Sequence, residues 1–266
     1  MPKFRSNGAE LYYAVDGEGL PIVLLHCLPM DHRIWMNQFF ELTSKYKVIG
    51  LDFRGLGHSE GGSTPCSIAT LSDDVNNLFE VEGISKAVVA GISLGGQVAQ
   101  QFALDHPEKL AGVVLSGTNC NCTTERLQKQ FTERVAKYRS SEAESYYAGH
   151  LEGLFSPEFL ASPRAKSVMK SYISAGTRKK FDSIANLFLA LLQFNVESQI
   201  GRVRTPLLVI AGDKDRAFQD SKNIADRVSG STFFPVSGAG HAVCMETPTE
   251  FNQAFASFLA KISYQV

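Results

Sequence analysis

The residues best suited to chemistry in this 266-residue chain begin with a serine between glycines, Gly91-Ile92-Ser93-Leu94-Gly95. The five-residue pattern alone would fit an ordinary glycine-rich loop. Its neighbours change the reading: "SKAVVA" before it has the character of a buried strand, and "VAQQFALDHP" after it has that of a helix. A strand that turns sharply into a helix holds a serine in a strained conformation, and glycines on either side allow the close backbone approach this requires. The hydroxyl then stands at a helix N-terminus, where developing negative charge is favoured. A serine hydroxyl becomes a useful nucleophile only when a base takes its proton. The candidate base is His241 in "SGAGHAV", on the loop after the last expected strand. Of the other histidines, His106 reads as a helix-end cap, His58 lies in a turn, and His150 could face either a pocket or solvent. A catalytic imidazole needs a carboxylate to fix its tautomer. "AGDKDRAF" offers Asp213 and Asp215, which spacing alone does not separate. A tetrahedral oxyanion needs N–H donors. The Leu94 amide is one candidate, and the second is Cys27 or Leu28, on the loop after "IVLLH".

The elements that must position these groups follow from hydrophobic pattern. Asn7-Gly8 predicts a hairpin between two short N-terminal strands. Apolar runs then alternate with helical patterns. "PIVLLHCL", "KVIGLDF", "SKAVVAGIS" and "LAGVVLSG" read as strands; "RIWMNQFFELTSKY", "IATLSDDVNNLFEVEG" and "LGGQVAQQFALDHP" read as helices. Short, nearly unbroken Val/Ile/Leu runs separated by helices describe a parallel sheet covered on both faces. From about Asn119 to about Gln199 the pattern is helical throughout: "TTERLQKQFTERVAKYRSS", "EAESYYAGHLEGLF", "PEFLASPRAKSVMKSYIS" and "RKKFDSIANLFLALLQF". The alternation resumes with "TPLLVIAGDKD", "DSKNIADRVSG", "STFFPVSGAG" and a last helix, "TPTEFNQAFASFLAKI". The expected organisation is an α/β core of residues 1–119 and 200–266, with a helical cap inserted at residues 120–199.

Composition narrows the function classes. Hydrophobic residues make up 44% and charged residues 20%, as in a globular domain with a sizeable core. The formal net charge of −1, without basic or acidic runs, gives no reason to expect a nucleic-acid partner or an anionic membrane surface. The longest greasy run, Leu187–Phe194, is far short of a membrane span, and the N-terminus lacks the apolar segment of a secretory signal. Five cysteines at irregular spacing (Cys27, Cys66, Cys120, Cys122 and Cys244) suggest reduced thiols and a cytoplasmic location. The six histidines show no metal-ligand spacing, so neither a metal nor another cofactor is expected. The expected partner is a small-molecule substrate, with the chain a monomer or homodimer.

Taken together, four motifs in order resemble the α/β-hydrolase superfamily, in its serine-nucleophile branch with a helical cap. "HCLP" (His26–Pro29) looks like its oxyanion loop, "DFRGLGHS" (Asp52–Ser59) like a structural turn, "GISLGG" like the nucleophile elbow, and "GDKD" with "GAGH" like the acid and base loops. The resemblance implies a mostly parallel sheet of about eight strands. It places the acid three residues after Gly212, on Asp215, with Asp213 as runner-up. It assigns the second oxyanion donor to Leu28 and structural roles to Asp52 and Arg54. The sequence departs from the family at Cys27, where glycine is usual; a side chain there would narrow the oxyanion loop or point into the pocket, and a buried, inert thiol is expected in preference to a reactive one.

The resemblance further implies hydrolysis of a carboxylic ester or lactone of a small, largely apolar substrate, as in esterases, enol-lactonases and haloperoxidase-like hydrolases. Carbon–carbon bond hydrolysis, acyl transfer and cofactor-free oxygenation or perhydrolysis are the alternatives on the same triad. "MDHRIW" (Met30–Trp35) is similar to an Asp-His-Arg run in cofactor-free dioxygenases of this fold. Cys27 and Trp35 are expected to contact substrate; Tyr146, Tyr147, Phe155, Phe188 and Phe194 are pocket candidates, but most aromatics at helical spacing are core and none of the five is assigned to the site.

Overall fold

The structure is a computed structural model that describes residues 2–61, 66–174 and 176–263, with Arg178, Lys179 and Ser263 described by their backbone alone. The chain begins with the hairpin β1 (Lys3–Ser6) and β2 (Ala9–Asp16), turned at Asn7 and Gly8, both at positive φ. Next come β3 (Pro21–Leu25), a 3₁₀ turn (His32–Trp35), α1 (Met36–Leu42) and β4 (Lys47–Leu51). Then follow α2 (Ile68–Glu82), β5 (Ala87–Ile92), α3 (Leu94–Asp105) and β6 (Leu110–Ser116). Five helices come before the next strand: α4 (Glu125–Arg139), α5 (Ala143–Glu152), α6 (Pro157–Leu160), α7 (Pro163–Ile173) and α8 (Arg178–Leu191). The chain then returns through β7 (Leu207–Gly212), α9 (Phe218–Arg227), β8 (Thr232–Val236), α10 (Val243–Glu246) and α11 (Pro248–Ser263).

The eight strands form one sheet in the order β1-β2-β4-β3-β5-β6-β7-β8. The pairs β1–β2 and β2–β4 are antiparallel, and every later pair is parallel. Strands β5, β6 and β7 are buried at every residue, which requires cover on both faces. α2 and α3 pack on each other, and α3 on β3, β5 and β6; α11 packs on β6 to β8 and on α1. From β3 the strand order runs outward in both directions, so β3 and β5 flank the switch point. In open α/β sheets the ligand crevice lies there, beyond the carboxyl ends of the strands.

Local chemistry explains where several elements start and stop. Ser67 caps α2 in a reciprocal box with Thr70, and Gly83 ends it in the left-handed conformation. The stretch expected as one helix from Pro157 to Ser174 is two: Ser162 caps a new start by accepting from the Ala165 N–H, and Pro163 opens α7. The strand expected to run through Leu28 ends at Leu25, and residues 26–31 leave the sheet as a loop. α10 is too short to show a period in the sequence. Among the described residues, no helix is long and apolar enough to cross a membrane.

Candidate active site

Ser93 occupies the turn between β5 and α3 with φ 52° and ψ −115°. For a residue with a Cβ this lies outside the allowed basins and costs about 1–3 kcal/mol. The surroundings over-determine it. The Ser93 N–H donates to the Ser116 carbonyl at 2.9 Å, and its own carbonyl accepts from the Thr118 hydroxyl at 3.0 Å. The flanking glycines are a steric requirement. A Cβ on Gly91 would stand 2.1 Å from the Gly95 carbonyl oxygen, and one on Gly95 would stand 2.1 Å from that of Leu25. The turn is thus wedged against the end of β3.

His241 and Asp215 come to the same crevice from the ends of β8 and β7. His241 Nδ1 lies 2.9 Å from Asp215 Oδ2, and Asp215 Oδ1 accepts from the Ala217 N–H at 3.0 Å. Burial alone would raise the Asp215 pKa. The adjacent His241 and the two hydrogen bonds outweigh it, so the carboxyl is held below its usual range and is ionised at neutral pH. A carboxylate accepts only, so the shared proton belongs to His241 Nδ1, and Nε2 is left free to accept another. The pair rests on bare backbone: a Cβ on Gly117 would come within 2.9 Å of Asp215 Oδ2 and 3.0 Å of the imidazole. Asp213 points elsewhere. It is exposed and accepts from Gly238 N–H at 2.8 Å and from the Ser237 hydroxyl.

The loop that holds His241 is fixed by a residue outside the four sequence motifs. Glu246, at the end of α10, accepts from Gly240 N–H at 3.0 Å with one carboxylate oxygen and from Ser156 N–H at 2.9 Å with the other. Its carboxylate therefore ties the His241 loop to the helical insertion. No motif marks it, because both partners are backbone groups and one of them lies ninety residues away.

The loop after β3 brings up the remaining N–H donors. Leu94 is the first residue of α3, so its N–H has no acceptor within the helix. Among the described residues the Leu28 N–H has no acceptor either. The loop is braced from below. His26 Nε2 accepts from the Phe53 N–H at 3.0 Å, so Nδ1 carries the proton and donates to the Cys27 carbonyl at 3.0 Å. Burial lowers the His26 pKa, in keeping with a neutral ring. Asp52 accepts from the His32 N–H and ring Nδ1, both at 2.8 Å, and from the His58 N–H at 2.9 Å. Arg54 forks the Asp74 carboxylate at 2.6 Å on both arms and ties the β1–β2 turn through the Ser6 and Asn7 carbonyls.

Ser93, Asp215, His241 and Leu28 line one cavity of about 610 Å³. Its roof comes from α4, α5 and α8, which supply Leu127, Phe131, Tyr146, His150, Phe188 and Leu191; Phe155 closes one side. Two residues expected against substrate are not on this wall. Cys27 is fully buried, and burial pushes its thiol far above the ordinary range. Trp35 is also fully buried, because the 3₁₀ turn directs its ring to Phe251 of α11 at 5.9 Å. Tyr147 and Phe194 are likewise core, the former donating to the Tyr172 carbonyl at 3.0 Å. Asp31, His32 and Arg33 also lie off this wall: Arg33 forks Asp31 at 2.8 Å and His32 turns to Asp52. Asp31, His32 and Asp52 bring ligand-type atoms within 4.8 Å of one another, but these protein partners already hold them.

Similar proteins match this chain over nearly their whole length. A relative provisionally named carbamate hydrolase RutD, of Caulobacter sp. strain K31, is 25% identical over 94% of this chain and 96% of its own. The 3-oxoadipate enol-lactonase 2 of Acinetobacter baylyi is 26% identical over 99% of this chain and 100% of its own. The crystal structure of the enol-lactonase from Burkholderia xenovorans LB400 superposes with a TM-score of 0.89, at 25% identity, covering 97% of this chain and 100% of that one. The model of the alpha/beta hydrolase fold matches residues 21–248, and the chain belongs to that family of enzymes.

Proposed function

We propose that the chain is a serine hydrolase that cleaves a carboxylic ester or lactone of a small substrate through an acyl-enzyme. Ser93 Oγ attacks the carbonyl carbon while His241 Nε2 takes its proton, and ionised Asp215 stabilises the imidazolium through Nδ1. The oxyanion is held by the N–H groups of Leu28 and Leu94; each such donor is worth about 10²–10³ in turnover. The tetrahedral adduct expels the alkoxide, which leaves with the proton from His241. For a lactone that alkoxide stays attached to the acyl chain. Water then attacks the acyl-enzyme, giving its proton to His241, and Ser93 is released with the acid product. The apolar wall of Leu127, Phe131, Phe155, Phe188 and Leu191 takes the hydrocarbon part of the substrate.

The observation that carries this reading is the 2.9 Å His241–Asp215 pair sharing a cavity wall with a serine in a conformation that costs energy to hold. The enol-lactonase relatives support the bond type. Ser93→Ala is expected to lower kcat for p-nitrophenyl butyrate by at least ~10³-fold with an unchanged melting temperature. Near wild-type turnover in that variant would remove the serine from the mechanism.

A further inference from the structure

The charges on the cavity wall do not balance. Five cations line it against three carboxylates, although the whole chain carries a net charge of −1. All three carboxylates are committed: Asp215 to His241, Asp220 to Arg126 at 2.8 Å, and Glu142 to Lys137 at 2.7 Å. Among the described residues, Arg134, Lys214 and Arg216 have no acidic partner.

Arg134 stands apart from the other two. Lys214 and Arg216 are exposed at the rim, whereas Arg134 is half-buried on α4 with its guanidinium over the Phe188 ring, 5.2 Å from the centroid. Its Nη1 donates to His150 Nε2, so the proton of that ring sits on Nδ1 and is given to the Tyr138 hydroxyl at 2.6 Å. Burial first, and Arg134 next, drive the His150 pKa well below its ordinary value, so the ring is neutral. His150 therefore accepts one N–H and neutralises nothing. The other guanidinium donors have no protein acceptor among the described residues. A desolvated cation without a counter-ion is costly, and an anion from outside offsets that cost when it arrives.

We propose that Arg134 holds a carboxylate of the substrate, so that the preferred esters or lactones carry a free acid group a short chain away from the scissile carbonyl. One guanidinium, with one donor already spent on His150, balances a single carboxylate charge and not a dianion. Lys214 and Arg216 at the rim draw the anion inward by long-range attraction. The substrate then has two ends, an acid against Arg134 and a hydrocarbon segment against the apolar wall. This assignment rests on the serine-hydrolase reading for the bond that is cut, and on Arg134 alone for the group that is held.

The test compares mono-p-nitrophenyl glutarate with p-nitrophenyl butyrate, esters that share a leaving group and differ at the far end. The wild type is expected to prefer the glutarate in kcat/KM by at least about tenfold, as one charge-assisted hydrogen-bond pair implies. Arg134→Gln should reduce that ratio by at least about tenfold, Arg134→Lys should retain part of it, and added salt should lower the wild-type ratio. Lys129→Gln, on the exposed side of α4, is the control that keeps the ratio. Turnover of the butyrate with no preference, and a ratio unmoved by Arg134→Gln, would overturn the carboxylate site and leave the hydrolase reading intact. If neither ester is turned over, the hydrolase reading fails, and calorimetry with glutarate decides the site. Binding weakened about tenfold by Arg134→Gln supports it, and equal or undetectable millimolar binding overturns it. Should Arg134→Gln not fold, competitive inhibition of wild-type butyrate hydrolysis by glutarate, and its absence for neutral pentanamide, takes its place. Equal inhibition by the two, or none by glutarate, refutes the assignment.

Discussion

Replacing Asp215 by asparagine changes one atom in shape and almost nothing in volume, yet it reverses the proton arrangement on which the proposed mechanism depends. The side chain at position 215 has two partners. One oxygen accepts from the Ala217 N–H at 3.0 Å, and the other meets His241 Nδ1 at 2.9 Å. An amide satisfies the Ala217 N–H only by keeping its carbonyl oxygen there, which turns its NH₂ toward His241. The ring must then present a bare Nδ1, and its proton moves to Nε2. A protonated Nε2 cannot take the proton of Ser93. The stabilisation of the imidazolium by an ionised neighbour is lost as well. The wrong tautomer is worth about 10⁴ in kcat, or about 5.4 kcal/mol of barrier. The assay is steady-state hydrolysis of p-nitrophenyl butyrate by Asp215→Asn beside Asp213→Asn. The second variant should stay within about threefold of wild type, since Asp213 only accepts from a backbone N–H and a hydroxyl on an exposed turn. An Asp215→Asn enzyme within about tenfold of wild type, or a larger loss at Asp213, would refute the reasoning.

Three further outcomes follow from the same geometry. Glu246→Gln presents an NH₂ to one of the two backbone donors that the carboxylate now satisfies; it should cost about 1–3 kcal/mol in urea denaturation and lower kcat about tenfold or more as the His241 loop loosens. Asp74→Ala strands the buried Arg54 guanidinium and should destabilise the fold by about 3–5 kcal/mol, read as a fall in the denaturation midpoint. Asp31 is buried, which alone would raise its pKa, but the Arg33 fork prevails and the carboxyl is held at about 2. A folded pKa below the unfolded value of about 3.9 means stabilisation that is complete above that pH and is lost as pH falls toward about 2. The stability gap between wild type and Asp31→Asn, about 2 kcal/mol at neutral pH, should therefore shrink between about pH 4 and pH 2, and a gap that widens there would contradict the assignment.

The parts of this molecule legible in the sequence are those set by local pattern. The buried strands β5, β6 and β7 announce themselves as unbroken apolar runs, and Gly83, Pro107 and the Asn7-Gly8 turn mark boundaries through backbone preferences that do not depend on distant contacts. The order of the site loops was readable for the same reason, because each follows a strand end. What could not be read is whatever depends on which way a side chain turns. Trp35 looks like a pocket aromatic in the chain and is core because Phe251, more than two hundred residues away, is packed against it. Cys27 sits at the departing end of β3 and turns inward to complete burial. Arg134 stands in a helix crowded with charges, where a solvated face is the natural reading; only the folded roof shows that the carboxylates sharing its cavity wall are engaged elsewhere. Glu246 acts through backbone N–H groups, which carry no residue identity.

The serine nucleophile is tested most directly by intact-protein mass spectrometry after exposure to a fluorophosphonate. The account predicts a single stoichiometric adduct, mapped by peptide digestion to Ser93, absent from Ser93→Ala and formed at least ~10³-fold more slowly in His241→Ala. An adduct on another residue, or undiminished ester turnover in an enzyme that takes up no label, would contradict it.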